Sequence, residues 1–219
     1  TPVEKAFSID TSSIKFGPGI TGEAGYELDR LGASRVMVVT DPQMAGSAAV
    51  NTATNSLKQA NVDFAVFDRV SVEPTDVSFK EAIEFAVNGR FDGFLPVGGG
   101  SSIDTAKAAN LYSTYPADFL EYVNAPIGEG TPVPGDLKPL VAVPTTAGTG
   151  SETTGVAIFD FEELGAKTGI AHRSLRPDVG LVDPENTRSL PKMVAACSGF
   201  DVLCHGIESY TALSFSQRE

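Results

Sequence analysis

The sequence predicts an α/β fold with a parallel sheet, followed by the start of an all-helical domain. Short apolar runs alternate with helical patterns over residues 35–112, three glycines follow one predicted strand, and the pattern beyond Asp183-Pro184 is helical. Strands separated by helices of this length are joined by right-handed crossovers, so they lie parallel in one sheet. Such sheets bind ligands beyond the carboxyl ends of their strands, which is where the glycines stand.

Strands and helices alternate in the first half of the chain. Each predicted strand is a short apolar run bounded by turn signals, and each predicted helix repeats its apolar residues every three or four positions. The strands lie at 35–40, 62–67 and 93–97, and the helices at about 46–60, 76–88 and 103–112.

The second half of the chain is less regular. A loop rich in proline and glycine at 126–135 precedes a fourth strand at 140–143. Two further apolar runs, 156–159 and 179–182, flank a polar segment, and we predict that they form a small antiparallel addition around Lys167.

The change of pattern near residue 184 predicts a domain boundary. Residues 185–213 favour helix and carry apolar side chains that need a surface to pack against. We therefore predict an α/β domain over 1–183 and the first helices of an incomplete helical domain over 184–219. The apolar side chains available for burial are Val194, Ala195, Phe200, Leu203, Ile207 and Tyr210.

Composition and charge limit the partners of the chain. Its 219 residues are 42% hydrophobic, which is enough to bury a substantial core. With 16 basic and 28 acidic residues the net charge is -12, and this charge repels nucleic acids and anionic membranes. We expect neither as a partner, and any anionic ligand must be held by local dipoles and a few well-placed cations.

Disulfides and membrane spans are also disfavoured. Cys197 and Cys204 would lie ~10.5 Å apart along one helix, which is too far for a disulfide. No apolar run approaches the ~18 residues that a membrane-spanning helix needs. Glu4 and Asp10 stand where a targeting leader would be apolar or rich in arginine, so we expect a soluble chain.

The clearest functional signal is the glycine run. An apolar strand leads into Gly98, Gly99 and Gly100 and then into a helix opened by Ser101. Glycines let a ligand approach the backbone, and a helix N-terminus attracts negative charge, so we expect this corner to bind a diphosphate. The alternative is an ordinary tight turn with a Ser-x-x-Asp cap that involves Asp104.

Two further features favour a nucleotide at the same edge. Asp41 follows the first predicted strand, where a carboxylate can accept hydrogen bonds from a ribose and favours NAD over NADP; otherwise it caps a turn. The loop 144–152 follows the fourth strand and offers hydroxyls to phosphate or carboxamide oxygens, unless it only caps the next element. Its hydroxyl groups include those of Thr145, Thr146, Thr149 and Ser151.

Asp201 and His205 form a candidate metal-binding pair. Four residues apart on a helix, they project from the same face. A carboxylate and an imidazole together suit Fe²⁺ or Zn²⁺. The alternative is a simple contact between the two side chains.

These motifs resemble those of the iron-containing (group III) alcohol dehydrogenase family. The resemblance is carried by 98–101 with Asp104 and Lys107, by 144–152 and by 199–205, and it covers nearly the whole chain. It implies a Rossmann-like N-terminal domain that binds NAD and a helical C-terminal domain that holds a divalent metal in the cleft between them.

The resemblance also implies roles for individual residues. Gly98 to Ser101 would meet the pyrophosphate, Asp41 the adenosine ribose and Lys167 a ribose, while Leu181 would line the pocket. The remaining assignments are Thr145, Thr146 and Ser151 on the adenosine and nicotinamide side, Thr149 also at the cofactor, and Asp201 and His205 as the first two metal ligands. The family adds two histidines well downstream, and the sequence ends at Glu219 before either, so we expect a chain truncated before the last metal ligands.

Segments 108–112, 118–128 and 198–213 are similar to the hydroxyacid-oxoacid transhydrogenase branch of the family. This similarity implies hydride transfer from a hydroxy acid such as 4-hydroxybutyrate to an oxo acid such as 2-oxoglutarate through tightly held NAD, with the metal as Lewis acid. The three basic residues at 172, 173 and 176 are candidates for holding substrate carboxylates, against the alternative of an exposed basic loop. We expect a mitochondrial location in a eukaryote and a cytoplasmic one in a bacterium.

Other functions stay open at this point. A plain NAD-dependent, metal-containing alcohol dehydrogenase has the same motifs, whereas a sugar-phosphate cyclase of the dehydroquinate synthase type would need basic phosphate-binding residues that the sequence does not show. A third alternative is a nucleotide-binding fragment without activity, whose helical face awaits a partner chain. We expect small hydroxy and oxo acids as substrates, and either a homo-oligomer or association with a missing C-terminal part.

Overall fold

The computed structural model describes residues 11–212, and residues 1–10 and 213–219, with Glu4, Asp10 and Leu213 among them, lie outside the described part. The strands are β1 (Ser13–Phe16), β2 (Arg35–Val39), β3 (Asp63–Phe67), β4 (Gly93–Gly98), β5 (Val141–Pro144), β6 (Val156–Phe161), β7 (Ala166–Ala171) and β8 (Val179–Val182). The α-helices are α1 (Ala24–Arg30), α2 (Ala48–Gln59), α3 (Asp76–Gly89), α4 (Gly100–Thr114) and α5 (Lys192–Thr211).

Six strands form one parallel sheet in the order β1-β8-β5-β4-β2-β3. The register places Val38 beside Leu95 in the pair of β2 and β4, and Gly98 beside Pro144 in the pair of β4 and β5. The carboxyl ends of β2, β4 and β5 therefore meet at one edge of the sheet. The loops that follow these strands carry the predicted nucleotide-binding residues.

Helices cover both faces of the parallel sheet. On one face α1 and α2 bury residues such as Leu28 and Leu57 against Val38 and Leu95. On the other face α3 and α4 pack against the sheet through a second apolar cluster that contains Ile103. Strands that are buried on both faces read as continuous apolar runs, and this explains why β2, β4 and β5 are easy to recognise in the sequence.

The antiparallel addition exists, but its second strand was predicted wrongly. β6 pairs with β7, with Val156 opposite Ala171, and Lys167 lies in β7. The run Val179–Val182 is instead β8 of the main sheet, between β1 and β5. Its four consecutive apolar or glycine residues are typical of a buried parallel strand, whereas β7 contains Lys167 and Thr168 and alternates less clearly.

β1 and α1 were not predicted from the sequence. β1 lies at the edge of the sheet and is mostly exposed, so it lacks the apolar run of a central strand. α1 has only seven residues, which is too short for a clear helical period.

The helix predicted beyond residue 184 is confirmed as α5, which contains no buried residue. The apolar side chains predicted to be available for burial are exposed, with Phe200 at 68% and Tyr210 at 91%. α5 thus presents an uncovered apolar face in the described part of the chain. No helix within residues 11–212 combines the length and the hydropathy needed to cross a membrane.

Candidate functional site

The glycine run forms the corner between β4 and α4. Gly99 is the N-cap residue of α4 in an extended conformation, and no side chain caps this helix end. The amides of Ser102 and Ile103 donate to the Gly99 carbonyl at 3.1 and 3.2 Å, which leaves the first amides of the helix directed out of its end. The Ser-x-x-Asp cap considered above does not form. An uncapped helix N-terminus after a buried strand is a suitable anion-binding group.

The loop 144–152 faces this corner across a short gap. The amide of Thr145 donates to the Gly98 carbonyl at 2.9 Å, which fixes the start of the loop. A Cβ atom placed on Gly100 would lie 2.8 Å from Cγ2 of Thr149, and one on Gly99 would lie 3.3 Å from Cγ2 of Thr146. The two polar loops predicted from sequence therefore meet, and a side chain at either glycine would fill the space between them.

Asp41 lies beside the same corner. Its Oδ1 atom accepts hydrogen bonds from the amides of Gln43 (2.9 Å) and Met44 (3.0 Å), so one oxygen caps the turn after β2. The Oδ2 atom lies 3.9 Å from the position of a Cβ atom on Gly98. Oδ1 therefore caps the turn, as the alternative interpretation predicts, whereas Oδ2 lies at the edge of the sheet where a ribose is expected.

A buried ion pair between Asp104 and Lys107 holds the glycine corner and the loop 144–152 in place. The Asp104 carboxylate accepts hydrogen bonds from the Ser151 hydroxyl (2.9 Å), the Ile158 amide (3.0 Å) and the Lys107 ammonium (3.3 Å). The Lys107 ammonium also donates to the Val156 carbonyl at 2.7 Å. Burial raises the pKa of the Asp104 carboxyl and lowers that of Lys107, and the attraction between the two groups opposes both shifts.

The positioning role of this pair was not predicted. From the sequence, Asp104 was considered only as a helix-cap residue and, together with Lys107, as part of a family motif. Their i, i+3 spacing on α4 and the apolar residues that surround them in the sequence are the signals that point to a buried pair.

A cavity of about 450 Å³ opens between the corner, the hairpin β6–β7 and α5. It brings together seven of the residues predicted from sequence, which are Gly100, Ser101, Thr149, Ser151, Lys167, Asp201 and His205. It is also lined by residues that sequence reasoning did not single out for this site, among them Glu73, Pro74 and Thr154.

The other predicted residues lie outside the lining of this cavity. Asp41, Gly98 and Gly99 lie at the adjacent corner. Thr145 is only 3% exposed and lies at the end of β5. Leu181 is fully buried in the apolar core between the sheet and α1 and α2.

Lys167 lies at the rim of the cavity within an acidic group. Its ammonium is 2.5 Å from Oε2 of Glu73 and 3.4 Å from Oδ1 of Asp160, and its side chain is 55% exposed. The hydrogen bond to Glu73 raises the pKa of Lys167, and the nearby carboxylates add to that effect. Lys167 is therefore positively charged, and its ammonium could donate to a ligand hydroxyl as well as to Glu73.

Asp201 and His205 meet on one face of α5, as their spacing predicts. Nε2 of His205 lies 3.7 Å from Oδ1 of Asp201, and Nδ1 lies 3.2 Å from the Gly148 carbonyl. A donor bond from Nδ1 to that carbonyl leaves the lone pair on Nε2, which is the usual arrangement of a metal-binding histidine. Two atoms that each lie ~2.1 Å from a metal can be up to ~4.2 Å apart, so the observed distance fits a shared ion.

These two side chains do not complete a metal site by themselves. Within residues 11–212 no group of three or more histidine, cysteine, aspartate or glutamate side chains is placed to hold a metal ion. The described residues thus provide two positions of a coordination sphere that needs at least three or four ligands.

The basic residues considered for substrate carboxylates lie elsewhere. Nδ1 of His172 accepts a hydrogen bond from the Ser174 amide at 3.2 Å and so caps a short 3-10 helix. Arg173 and Arg176 line a different cavity, next to the start of β8. The metal pair and these arginines therefore do not face one substrate.

The chain is similar in sequence to a known family and to several known proteins. A family model described as iron-containing alcohol dehydrogenase matches residues 11–184. A mitochondrial hydroxyacid-oxoacid transhydrogenase of Xenopus tropicalis is 58% identical over 216 residues, which is 98% of this chain and 47% of that protein. The human protein of the same name is 54% identical over 97% of this chain and 46% of its own length. The chain thus spans about half the length of these relatives.

Solved structures agree with the described fold. A 1,3-propanediol oxidoreductase superposes with a TM-score of 0.86 at 28% identity, over 94% of this chain and 53% of that one. A sulfoacetaldehyde reductase from Bifidobacterium kashiwanohense in complex with NAD⁺ superposes with a TM-score of 0.83 at 28% identity, over the same two shares of 94% and 53%. The α/β fold and its Rossmann-like sheet are therefore confirmed.

Proposed function

Because the chain belongs to the iron-containing alcohol dehydrogenase family, we propose that it is the nucleotide-binding part of an oxidoreductase that uses NAD and a divalent metal ion. The observation that carries the proposal is the uncapped N-terminus of α4, which faces Thr149 and borders the same cavity as Asp201 and His205. In this proposal residues 1–183 form the NAD-binding domain and residues 184–219 begin a helical metal-binding domain.

The glycine corner fits the pyrophosphate of NAD. Gly99 and Gly100 keep the space between the two loops open, and a side chain at Gly98 would collide with Ser102 of α4. The α4 N-terminus supplies amides and a positive dipole end to a chain that is acidic overall. Ser101 adds a hydroxyl at the first turn of α4. The Asp41 carboxylate would accept from the ribose hydroxyls and repel a 2′-phosphate, which favours NAD over NADP.

The remaining cofactor contacts come from the second loop and the hairpin. Thr145, Thr146, Thr149 and Ser151 are proposed on the adenosine and nicotinamide side, Lys167 at a ribose, and Leu181 beneath the pocket. Thr149, Ser151 and Lys167 line the cavity, which supports their assignment to the cofactor. Leu181 is fully buried, so it would support the pocket from the core without touching the cofactor. Asp104 holds Ser151 in place and so positions the second loop.

Asp201 and His205 would hold the metal ion. The contact between His205 and the Gly148 carbonyl ties the metal pair to the nucleotide loop, so both ligands would be fixed relative to the cofactor. The family description favours iron, and the same two donors also suit Zn²⁺. When bound, the nicotinamide carries the hydride and the metal acts as a Lewis acid on the substrate oxygen.

The substrate pair is proposed from the relatives. Proteins named hydroxyacid-oxoacid transhydrogenase are 54% to 58% identical to this chain in seven vertebrate species, whereas the structural neighbours are 25% to 32% identical. We therefore assign hydride transfer from a hydroxy acid of the 4-hydroxybutyrate type to an oxo acid of the 2-oxoglutarate type. The first acid is oxidised to succinate semialdehyde and the second is reduced to 2-hydroxyglutarate, so the bound NAD is regenerated.

An assay of the full-length protein tests this assignment. With 4-hydroxybutyrate and 2-oxoglutarate together, succinate semialdehyde and 2-hydroxyglutarate are expected in equal amounts, without free NADH. Release of NADH with the hydroxy acid alone would favour the second candidate, a plain NAD-dependent alcohol dehydrogenase, which the 1,3-propanediol oxidoreductase likeness supports. No turnover with any alcohol would favour the third candidate, a nucleotide-binding fragment without activity that associates with a partner chain. The uncovered apolar face of α5 supports that candidate.

The same relatives bear on location. The Xenopus tropicalis and human proteins are named mitochondrial. We propose a mitochondrial location if the source is a eukaryote and a cytoplasmic one if it is a bacterium. Fluorescence microscopy of the tagged full-length protein in its own cells distinguishes the two compartments.

A further inference from the structure

α5 is shielded from solvent along one narrow strip. Ser198 and Asp201 are the half-buried residues of this helix, and its other residues are exposed. Ser198 and Asp201 lie three positions apart, so they share one face of the helix, and His205 follows on that face four positions after Asp201. The strip of α5 that meets the α/β domain is therefore the strip that carries the candidate metal pair.

The loop 144–152 lies against this strip at Gly148. A Cβ atom on Gly148 would lie 2.6 Å from the carbonyl oxygen of Ser198 and 3.0 Å from its Cα atom. These are backbone atoms of a helix, which cannot rotate away as the end of a side chain can. The φ angle of Gly148 is outside the left-handed region, so the close approach of α5, and not the backbone conformation, requires a glycine.

The carbonyl of Gly148 also determines which nitrogen of His205 carries the proton. Nδ1 of His205 lies 3.2 Å from this oxygen. Because a carbonyl oxygen only accepts hydrogen bonds, Nδ1 must donate, and in the neutral ring the lone pair is then on Nε2. Nε2 lies on the side of Asp201, 3.7 Å from Oδ1. The backbone of the loop thus selects the tautomer that directs a lone pair toward the position a shared metal ion would take.

The second histidine of the chain has the opposite arrangement. Nδ1 of His172 accepts a hydrogen bond from the Ser174 amide at 3.2 Å, so the proton of the neutral ring is on Nε2. The sequence contains only these two histidines. His172 and His205 are therefore expected to differ in tautomer within one sample.

We propose that Gly148 is a positioning residue for the metal pair. Its carbonyl holds the His205 ring as the Nδ1–H tautomer, and its missing side chain lets α5 lie against the loop that also carries Thr149 and Ser151. The consequence for metal binding rests on the proposed function. The tautomer and the close approach are properties of the chain without metal or nucleotide, so they can be tested separately.

Nitrogen NMR of the 219-residue chain with ¹⁵N-labelled histidine tests the proposal. Long-range ¹H–¹⁵N correlations are recorded without metal and without NAD at about pH 9, where free imidazole is neutral. They distinguish a protonated from an unprotonated ring nitrogen. Gly148→Ala is compared with Gly46→Ala, because a Cβ atom on Gly46 meets nothing within 4 Å. His172 is the internal reference in every spectrum.

In the unmodified chain His205 is expected mainly as the Nδ1–H form and His172 as the Nε2–H form. In Gly148→Ala the methyl group pushes the loop away from α5, so His205 should change to mainly Nε2–H while His172 stays the same. Gly46→Ala should match the unmodified chain. An Nε2–H form of His205 in the unmodified chain, or an unchanged His205 in folded Gly148→Ala, would overturn the proposal. The spectrum of the unmodified chain provides this test even if Gly148→Ala does not fold.

Titration with Zn²⁺ connects the positioning to the metal. Gly148→Ala is expected to bind Zn²⁺ about tenfold more weakly than the unmodified chain and Gly46→Ala, as is typical when a group that orients a metal-binding histidine is lost. Equal Zn²⁺ affinities despite a changed tautomer would overturn the role of Gly148 in metal binding. If the unmodified chain shows the expected tautomers but binds no Zn²⁺, the proposed metal function fails and the positioning of the ring stands.

Discussion

The Ser151 hydroxyl donates a hydrogen bond of 2.9 Å to the buried Asp104 carboxylate. This contact joins α4, which carries the glycine corner, to the loop that faces it. The same carboxylate receives the Ile158 amide and the Lys107 ammonium, so one side chain fixes the loop, the hairpin and the helix relative to one another. The shape of the candidate site thus depends on a residue whose side chain is largely shielded from solvent.

Replacing Asp104 by asparagine is expected to destabilise the chain by about 3 kcal/mol. The substitution removes the counter-charge that is hydrogen-bonded to the fully buried Lys107 ammonium, and removing one partner of a buried pair is costly. Urea unfolding measures the difference. Glu185→Gln is the matched control, because it removes a carboxylate from an exposed pair with Arg188 and should cost less than about 1 kcal/mol. Equal costs for the two variants would contradict the account of the buried pair.

Gly100→Ala is expected to weaken NADH binding about tenfold while the Tm changes little. The new methyl group would lie 2.8 Å from Thr149 Cγ2 and narrow the gap between the two loops. Titration by NADH fluorescence measures the affinity, and the chain contains no tryptophan that would interfere. Gly46→Ala is the control, because a Cβ atom there meets nothing within 4 Å. Equal loss of affinity in both variants would show that the corner has no special role.

The lowered pKa of Asp183 predicts that the folded chain loses stability in acid. Although burial opposes the effect, hydrogen bonds from the Thr21 hydroxyl and from the amides of Thr21, Gly19 and Glu185 hold the pKa of Asp183 below its usual value. The unfolded chain therefore takes up this proton first as the pH falls, and the stabilisation present above pH ~4 is lost on passing below the folded pKa.

Urea unfolding between pH 7 and pH 3 tests this prediction. Asp183→Asn should be less stable by about 2 kcal/mol at pH 7, because hydrogen bonds to a charged acceptor are lost. Its stability should also fall less steeply than that of the unmodified chain below pH ~4. Parallel pH profiles for the two proteins would exclude Asp183 as a source of the acid sensitivity.

Metal binding by the 219-residue chain is expected to be weak, because the described residues provide only the pair Asp201 and His205. After incubation with Fe²⁺ or Zn²⁺ and desalting, less than one equivalent should remain by atomic absorption. Titration before desalting should show weak binding that His205→Ala abolishes and Glu208→Gln, on the same helix, leaves intact. One full equivalent retained after desalting would contradict the prediction.

Much of the fold could be predicted from sequence because the central strands are buried on both faces. β2, β4 and β5 read as unbroken apolar runs, and their order along the chain is enough to place the glycine corner at the carboxyl edge. β8 has the same pattern, but its place between β1 and β5 is set by contacts distant in sequence. Periodicity carries no information on such contacts.

The candidate site was predictable where the chemistry lies in local motifs. The glycine run, the loop 144–152 and the i, i+4 pair on α5 can each be recognised from the spacing of residues in the sequence. The role of Asp104 was not predictable in this way, because Ser151 and Ile158 come within its reach only through folding of the hairpin.

The central claim is that the corner at Gly98 to Gly100 binds the pyrophosphate of NAD. Crystallography of the chain with saturating NAD⁺ tests it most directly. The account predicts electron density for the pyrophosphate with oxygens within about 3.2 Å of the amides of Gly100 and Ser101 at the α4 N-terminus. Clear density for the nucleotide at another place, with those amides bonded inside the protein, would contradict it.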